Sequence, residues 1–201
     1  MARQDHITGP AFLLVAGRTA GMIATFAILP LFARWYAEGE VNTYKTFWLL
    51  YATLYGLAQL GMAESLYYFV PRASGNVGRY VCNAAVTLLL TGLVSLALVW
   101  AFRTDIAAYF SNPALVDVAL PLGLFLTLML VGTVFEITMI ARKQHMGAAV
   151  TYALSDIART ALFIVPAWLF SSLRAVFIGA VAFAALRLTV MLVTVLRQYG
   201  R

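Results

Sequence analysis

Apolar residues run with few interruptions over residues 11–33, 46–69, 80–102, 118–140, 148–170 and 173–196. A helix needs about 20 such residues to cross the hydrocarbon core of a bilayer. The connections between these stretches are short. Glu38, Gly39, Glu40, Asn42 and Lys45 mark the first, and the turn formers of 71–79 the second. Asp105, Ser111, Asn112 and Pro113 mark the third, with an interfacial turn around Tyr109 and Phe110. Arg142, Lys143, Gln144 and His145 form the fourth, and Ser171 and Ser172 the fifth. Backbone polar groups in lipid need internal partners, which leaves helices or a closed barrel. Barrel strands alternate over about 10 residues, whereas these runs are continuous. The pattern therefore predicts an all-α polytopic membrane protein, with residues 1–201 forming one lobe of six transmembrane helices.

Six ionisable residues interrupt those runs: Arg18, Glu64, Glu136, Asp156, Arg159 and Arg187. An Arg, Lys or Asp at the centre of a lipid-facing helix costs about 2.5–3.5 kcal/mol on an insertion scale. Six at that rate approach the whole stability of an ordinary domain. The six must therefore face one another or a wet cavity. At 1.5 Å per residue, Arg159 falls near mid-span, Arg18, Asp156 and Arg187 roughly 4–6 Å from it, and Glu64 and Glu136 roughly 10 Å from it. All six lie at or on one side of the midplane, as a cavity open to that side would require.

Helical spacing adds two stripes. Tyr152, Ser155, Asp156 and Arg159 share a face of the fifth span, and Trp48, Tyr51, Tyr55 and Gln59 a face of the second. Aromatic hydroxyls and amides on such a face suit sugar rings, and they equally suit helix packing or interfacial belts. The charges have two readings as well. Arg187 paired with Glu136 or Glu64, and Asp156 with Arg159, would tie helices together. Alternatively, the arginines Arg18, Arg159 and Arg187 line a solvated path whose cationic excess favours anions. Guanidinium groups hold phosphate in a forked geometry and stay charged. Pro30, Pro121 and Pro166 predict kinks that serve as hinges or static bends, and Gly17 and Gly21 have the spacing for close helix approach.

Composition agrees. The chain is 63% hydrophobic and 11% charged, against about 25% charged in soluble domains. Its net charge of +6 is spread over helix ends with no basic run, which argues against nucleic acid. The single cysteine, Cys82, excludes an internal disulfide and a multi-cysteine metal site. Arg18 breaks the first apolar run, so the segment reads as a retained helix rather than a cleaved signal. Motifs for a rhomboid-like serine or an H-E-x-x-H zinc site are missing, so no enzyme and no cofactor are expected. With the N-terminus inside, Arg3, Arg72, Arg79, Arg142, Lys143, Arg197 and Arg201 lie in the cytoplasm, and Arg34, Lys45, Arg103 and Arg174 outside. That excess places both termini in the cytoplasm.

Three passages resemble the polysaccharide-unit flippases of the multidrug/oligosaccharidyl-lipid/polysaccharide exporter superfamily. Leu31-Phe32-Ala33-Arg34-Trp35-Tyr36 followed by Tyr44 is similar to that family's L-A-R-x-L-G-x-x-x-Y. Gln59-Leu60-Gly61-Met62-Ala63-Glu64-Ser65 running into Phe69-Val70-Pro71-Arg72 is similar to its L-G-L and P-R passage. Ile140-Ala141-Arg142-Lys143-Gln144 is similar to its Q-A-x-x-R turn. Glu38-Gly39-Glu40-Val41-Asn42 departs from the family's Gly-Pro-rich turn, and Glu64 replaces a small or apolar residue.

The resemblance implies the N-terminal six-helix half of a transporter in the bacterial inner membrane, one that flips undecaprenyl-pyrophosphate-linked oligosaccharides. Arg18 matches a recurrent position of cavity arginines in related flippases. Substrate contacts are then expected from Arg18, Arg159, Arg187, Tyr55 and Gln59. Coupling to H⁺ or Na⁺ is expected from Asp156, Glu64 or Glu136. Two lobes need about twelve spans, so six imply a fragment or truncated half, or a half-transporter that pairs with a second lobe or its own copy. A drug or small-molecule exporter of the same superfamily, or a small channel, is the alternative, disfavoured by the arginine excess.

Overall fold

Backbone hydrogen bonds closed within each segment are what an apolar surrounding demands, and the chain meets the demand with helices throughout. The computed structural model describes residues 19, 28, 30–73, 77–141 and 145–199, with the side chains of 145–154, 156, 157 and 194–199 left out. A helical stretch at 30–35 leads into α1 (Glu38–Ala58) and α2 (Met62–Arg72). There follow α3 (Val77–Ala101), α4 (Arg103–Tyr109), α5 (Leu115–Ala141), α6 (His145–Phe170) and α7 (Leu173–Tyr199). Among the described residues there is no strand. Three helices are long and apolar enough to cross a membrane: α3, α5 and the Leu173–Val193 part of α7. Ala158–Phe170 of α6 is an apolar but shorter stretch. The protein is thus an all-helical, membrane-embedded chain. Arg18, Gly17 and Gly21 lie outside the described residues.

The second expected span, 46–69, is two helices rather than one. Leu60 and Gly61 both adopt left-handed backbone, with φ of 49° and 67°, and two such residues in succession end α1 and restart the chain as α2. The expected acidic connection at 38–45 is helix instead. Glu38 and Glu40 occupy the first turn of α1, where the helix dipole favours carboxylates, and Glu40 Oε2 accepts the Ala37 backbone N–H at 3.3 Å.

Helix α5 is the hub. It packs against α1, α2, α3, α4, α6 and α7, and its apolar window is 61% buried against 22% for α3. Small residues set the closest approaches. A Cβ on Gly92 of α3 would sit 2.9 Å from Thr127 Cγ2, and one on Gly123 of α5 would sit 2.9 Å from Leu96 Cα. These two contacts fix α3 and α5 as antiparallel neighbours. Helices α6 and α7 meet where Pro166, having no N–H, leaves the Leu162 carbonyl without its helical donor. Gly179 packs against that oxygen, so that any Cβ there would collide with it.

Aromatic residues mark two levels along α3. Exposed Tyr80 stacks on Phe69 of α2 with ring centroids 5.3 Å apart, and exposed Trp100 lies under the Arg103 guanidinium at 4.1 Å. From Tyr80 to Trp100 the helix rises roughly 30 Å, the thickness of a hydrocarbon core. Amphipathic rings beside arginines are what membrane–water boundaries select.

Candidate functional site

The polar stripe of α1 is carried inward by helical spacing, and its rings pack in succession. Trp48 meets Tyr51 edge-on at 5.4 Å, and Tyr51 lies 5.5 Å from Tyr55. Tyr55 reaches α5 through Thr133, and one turn further along α5 Glu136 pairs with Arg187 of α7. Residues from α1, α5 and α7 thereby share one polar region. Arg159 and Arg187 are both partly buried.

Glu136 and Arg187 form an ion pair between α5 and α7, with side chains 15% and 12% exposed. At that burial the pair escapes most solvent screening, and losing either partner would strand the other. Arg187 Nη1 also donates to Met129 Sδ at 3.3 Å. Arg187 Nε is buried with no hydrogen-bond partner among the described residues. Of the two partners the sequence allowed for Arg187, the fold uses Glu136. Glu64 is exposed on α2 and accepts a hydrogen bond from Gln59 Nε2 at 2.5 Å, across the break between α1 and α2. Asp156 lies on α6, its side chain outside the described residues.

Tyr55 and Thr133 are joined at 2.6 Å. Thr133 Oγ1 already donates to the Met129 carbonyl at 2.9 Å, so the Tyr55 hydroxyl is the donor to Thr133. Glu136, one helical turn after Thr133, falls opposite Asn83 by the α3–α5 register, roughly 5 Å inside the level of Tyr80. The ion pair therefore sits shallow, toward the Arg72 and Arg79 end, and not at the midplane.

The other end is closed by rings. Phe32, Phe47, Phe125, Phe163 and Phe177 are all at most 1% exposed, with Phe47 stacked on Phe177 at 4.3 Å and Tyr51 touching Phe125 at 4.9 Å. Trp48 Nε1 is buried in this cluster beside Tyr44 and finds no acceptor of hydrogen-bonding geometry among the described residues. Beyond the rings lies a cavity of about 450 Å³ lined by Glu40, Thr43, Asn112, Asp117, Ser172 and Arg174, among others. Asn112 Nδ2 donates to Thr43 Oγ1 at 2.8 Å, and Thr43 donates to the Gly39 carbonyl at 2.9 Å. Arg174 pairs with Asp117 at the rim. Tyr36 donates to the Ala167 carbonyl at 3.3 Å, and burial first, then the Glu40 carboxylate, pushes its phenol above the ordinary value.

Thr133, Met129 and the outer cavity escaped the sequence reading. Thr133 sits one turn before Glu136 on the same helix, and that spacing was the available signal. The cavity had none, because it joins three separate helix starts. Among the described residues, no group of three His, Cys, Asp or Glu side chains is placed to hold a metal ion. Comparison with protein-family models, curated proteins and solved structures found no match.

Proposed function

We propose that this chain is the membrane-embedded half of a transporter that moves the anionic head group of a lipid-linked oligosaccharide across a bacterial inner membrane. The observation that carries the reading is the half-buried Glu136–Arg187 pair between α5 and α7, whose Arg187 Nε has no hydrogen-bond partner among the described residues. An apolar bundle has no packing need for a half-buried guanidinium with a donor left over. A phosphate has that need, since it takes forked guanidinium donors. The three sequence passages similar to polysaccharide-unit flippases supply the lipid-linked glycan as the class of cargo.

In this mechanism Glu136 holds Arg187 until a pyrophosphate replaces it, and Arg187 Nε becomes a further donor to the incoming oxygens. Arg159 meets the same group from α6. Tyr55 and Gln59 face the sugars. Glu64, Asp156 and the displaced Glu136 are the carboxylates that exchange H⁺ or Na⁺. Closure by the phenylalanine layer at the far end matches a state open toward the Arg72 end, the cytoplasmic side under the positive-inside rule. The polyprenyl tail stays in lipid, and a second lobe or a second copy of the chain completes the path.

The test is Arg159→Glu in cells that depend on the protein for surface glycan. Loss of export, with the lipid-linked intermediate trapped on the inner leaflet and the protein still inserted, is the expected result. Unchanged glycan export would overturn the reading, and a changed resistance to cationic drugs beside it would point to the exporter alternative.

A further inference from the structure

The turn joining α2 to α3 is flanked by two exposed arginines, and the one acid of the two helices, Glu64, stands at the far end of α2. Between Glu64 and Asp105 the chain contains no Asp or Glu at all, while Arg72 and Arg79 stand exposed on either side of the turn. At the opposite end Arg174 is bonded to Asp117. Among the described residues no carboxylate pairs with Arg72 or Arg79, which leaves both open to counter-charge from outside the chain.

Arg72 is held in position. Its guanidinium lies 3.9 Å from the Tyr68 ring centroid, and Nη1 donates to the Tyr68 carbonyl at 3.2 Å. Among the described residues no acceptor takes its remaining donors. Beside it, the Phe69 and Tyr80 rings stack nearly flat, at 9°, and both are about 40% exposed. That stack bridges the two helices at the level where aromatic rings meet lipid head groups. Toward mid-bilayer, α3 continues this surface with exposed Val86, Leu90 and Val94. By helical spacing Val86 and Leu90 lie on the face of α3 that begins at Arg79, with the Phe69–Tyr80 stack at its edge.

We infer that this hairpin binds an anionic phospholipid. Arg72 and Arg79 take the phosphate, the Phe69–Tyr80 stack lies under the glycerol, and the acyl chains follow α3. A zwitterionic lipid carries its own ammonium beside the phosphate, so it gains less from two unpaired arginines. The inference rests on membrane embedding and not on the transport reading, and either can fail without the other.

The test uses the full-length purified protein in micelles, titrated with dioctanoyl phosphatidylglycerol or dioctanoyl phosphatidylcholine, with bound lipid counted by native mass spectrometry. Phosphatidylglycerol is expected to bind preferentially. The double variant Arg72→Gln/Arg79→Gln should lower that preference on the order of thirty-fold, as two surface cations would, and Arg103→Gln should leave it unchanged. If the double variant does not fold, the wild-type preference should still collapse between about 0.05 and 0.5 M salt, and Tyr68→Leu should reduce it several-fold. A preference indifferent to salt or to the double variant would overturn the inference. So would displacement of the lipid by inorganic phosphate at equal concentration, which would mark a site for free anions.

Discussion

At the Asp117 end the helices meet through aromatic rings, whereas toward the Arg72 end they meet through charges. Phe32, Phe47, Phe125, Phe163 and Phe177 fill the first region with almost no accessible surface, and near its rim Asn112 pairs with Thr43. In the second, Glu136 and Arg187 retain some exposure, Arg187 Nε has no partner among the described residues, and the α1–α2 helix is broken at Leu60 and Gly61. Under the proposed transport reading, a dry layer and a polar layer are the two parts an alternating-access carrier needs in any one state. The difference teaches that burial alone does not rank these regions, because the less completely packed one holds the ion pair that ties α5 to α7.

Perturbing each layer should break this contrast in a characteristic way. The largest effect belongs to Glu136→Ala, which leaves the Arg187 guanidinium buried and unpaired. About 3–5 kcal/mol of stability should go, read by denaturation of the purified protein in detergent. The double variant Glu136→Met/Arg187→Met should regain most of it while remaining inactive in transport. Full activity in that double variant would make the pair a mere strut.

Phe177→Ala opens a cavity in the dry layer beside Phe47, and about 3–4 kcal/mol should be lost, measured in the same way. Water-soluble thiol reagents should then modify a cysteine placed beside Phe47 that they miss when Phe177 is intact. Gly179→Val drives a side chain into the Leu162 carbonyl and should destabilise by about 1–3 kcal/mol, seen as a lower melting temperature. The smallest effect is a gain. Leu60→Gly removes a left-handed residue with a side chain and should stabilise the break by about 1 kcal/mol, which the melting temperature would report as a rise.

Much of this was legible in the sequence because the apolar runs are long and continuous: the expected ranges for α3, α5, α6 and α7 begin and end within a few residues of the observed helices. The polar stripe of Trp48, Tyr51 and Tyr55 was legible too, since helical spacing alone puts them on one face. The break was not, because hydropathy continues straight through Leu60, and only the glycine after it signals a left-handed turn. The start of α1 was missed for a different reason. Glu38 and Glu40 were read as loop composition, although acids in a first turn are a start signal. The close contacts of Gly92, Gly123 and Gly179 depend on which helices become neighbours, which spacing within one helix does not encode. The choice of Glu136 for Arg187 is of the same kind.

The contrast between the two layers can be measured directly by cysteine accessibility. With Cys82, the one native cysteine, replaced by serine, a single cysteine is placed at Tyr55 or at Phe47, and a charged, membrane-impermeant thiol reagent is applied to the face carrying Arg72 and Arg79. The account predicts modification of Tyr55→Cys and protection of Phe47→Cys. Equal labelling of the two, or modification of Phe47→Cys alone, would contradict it.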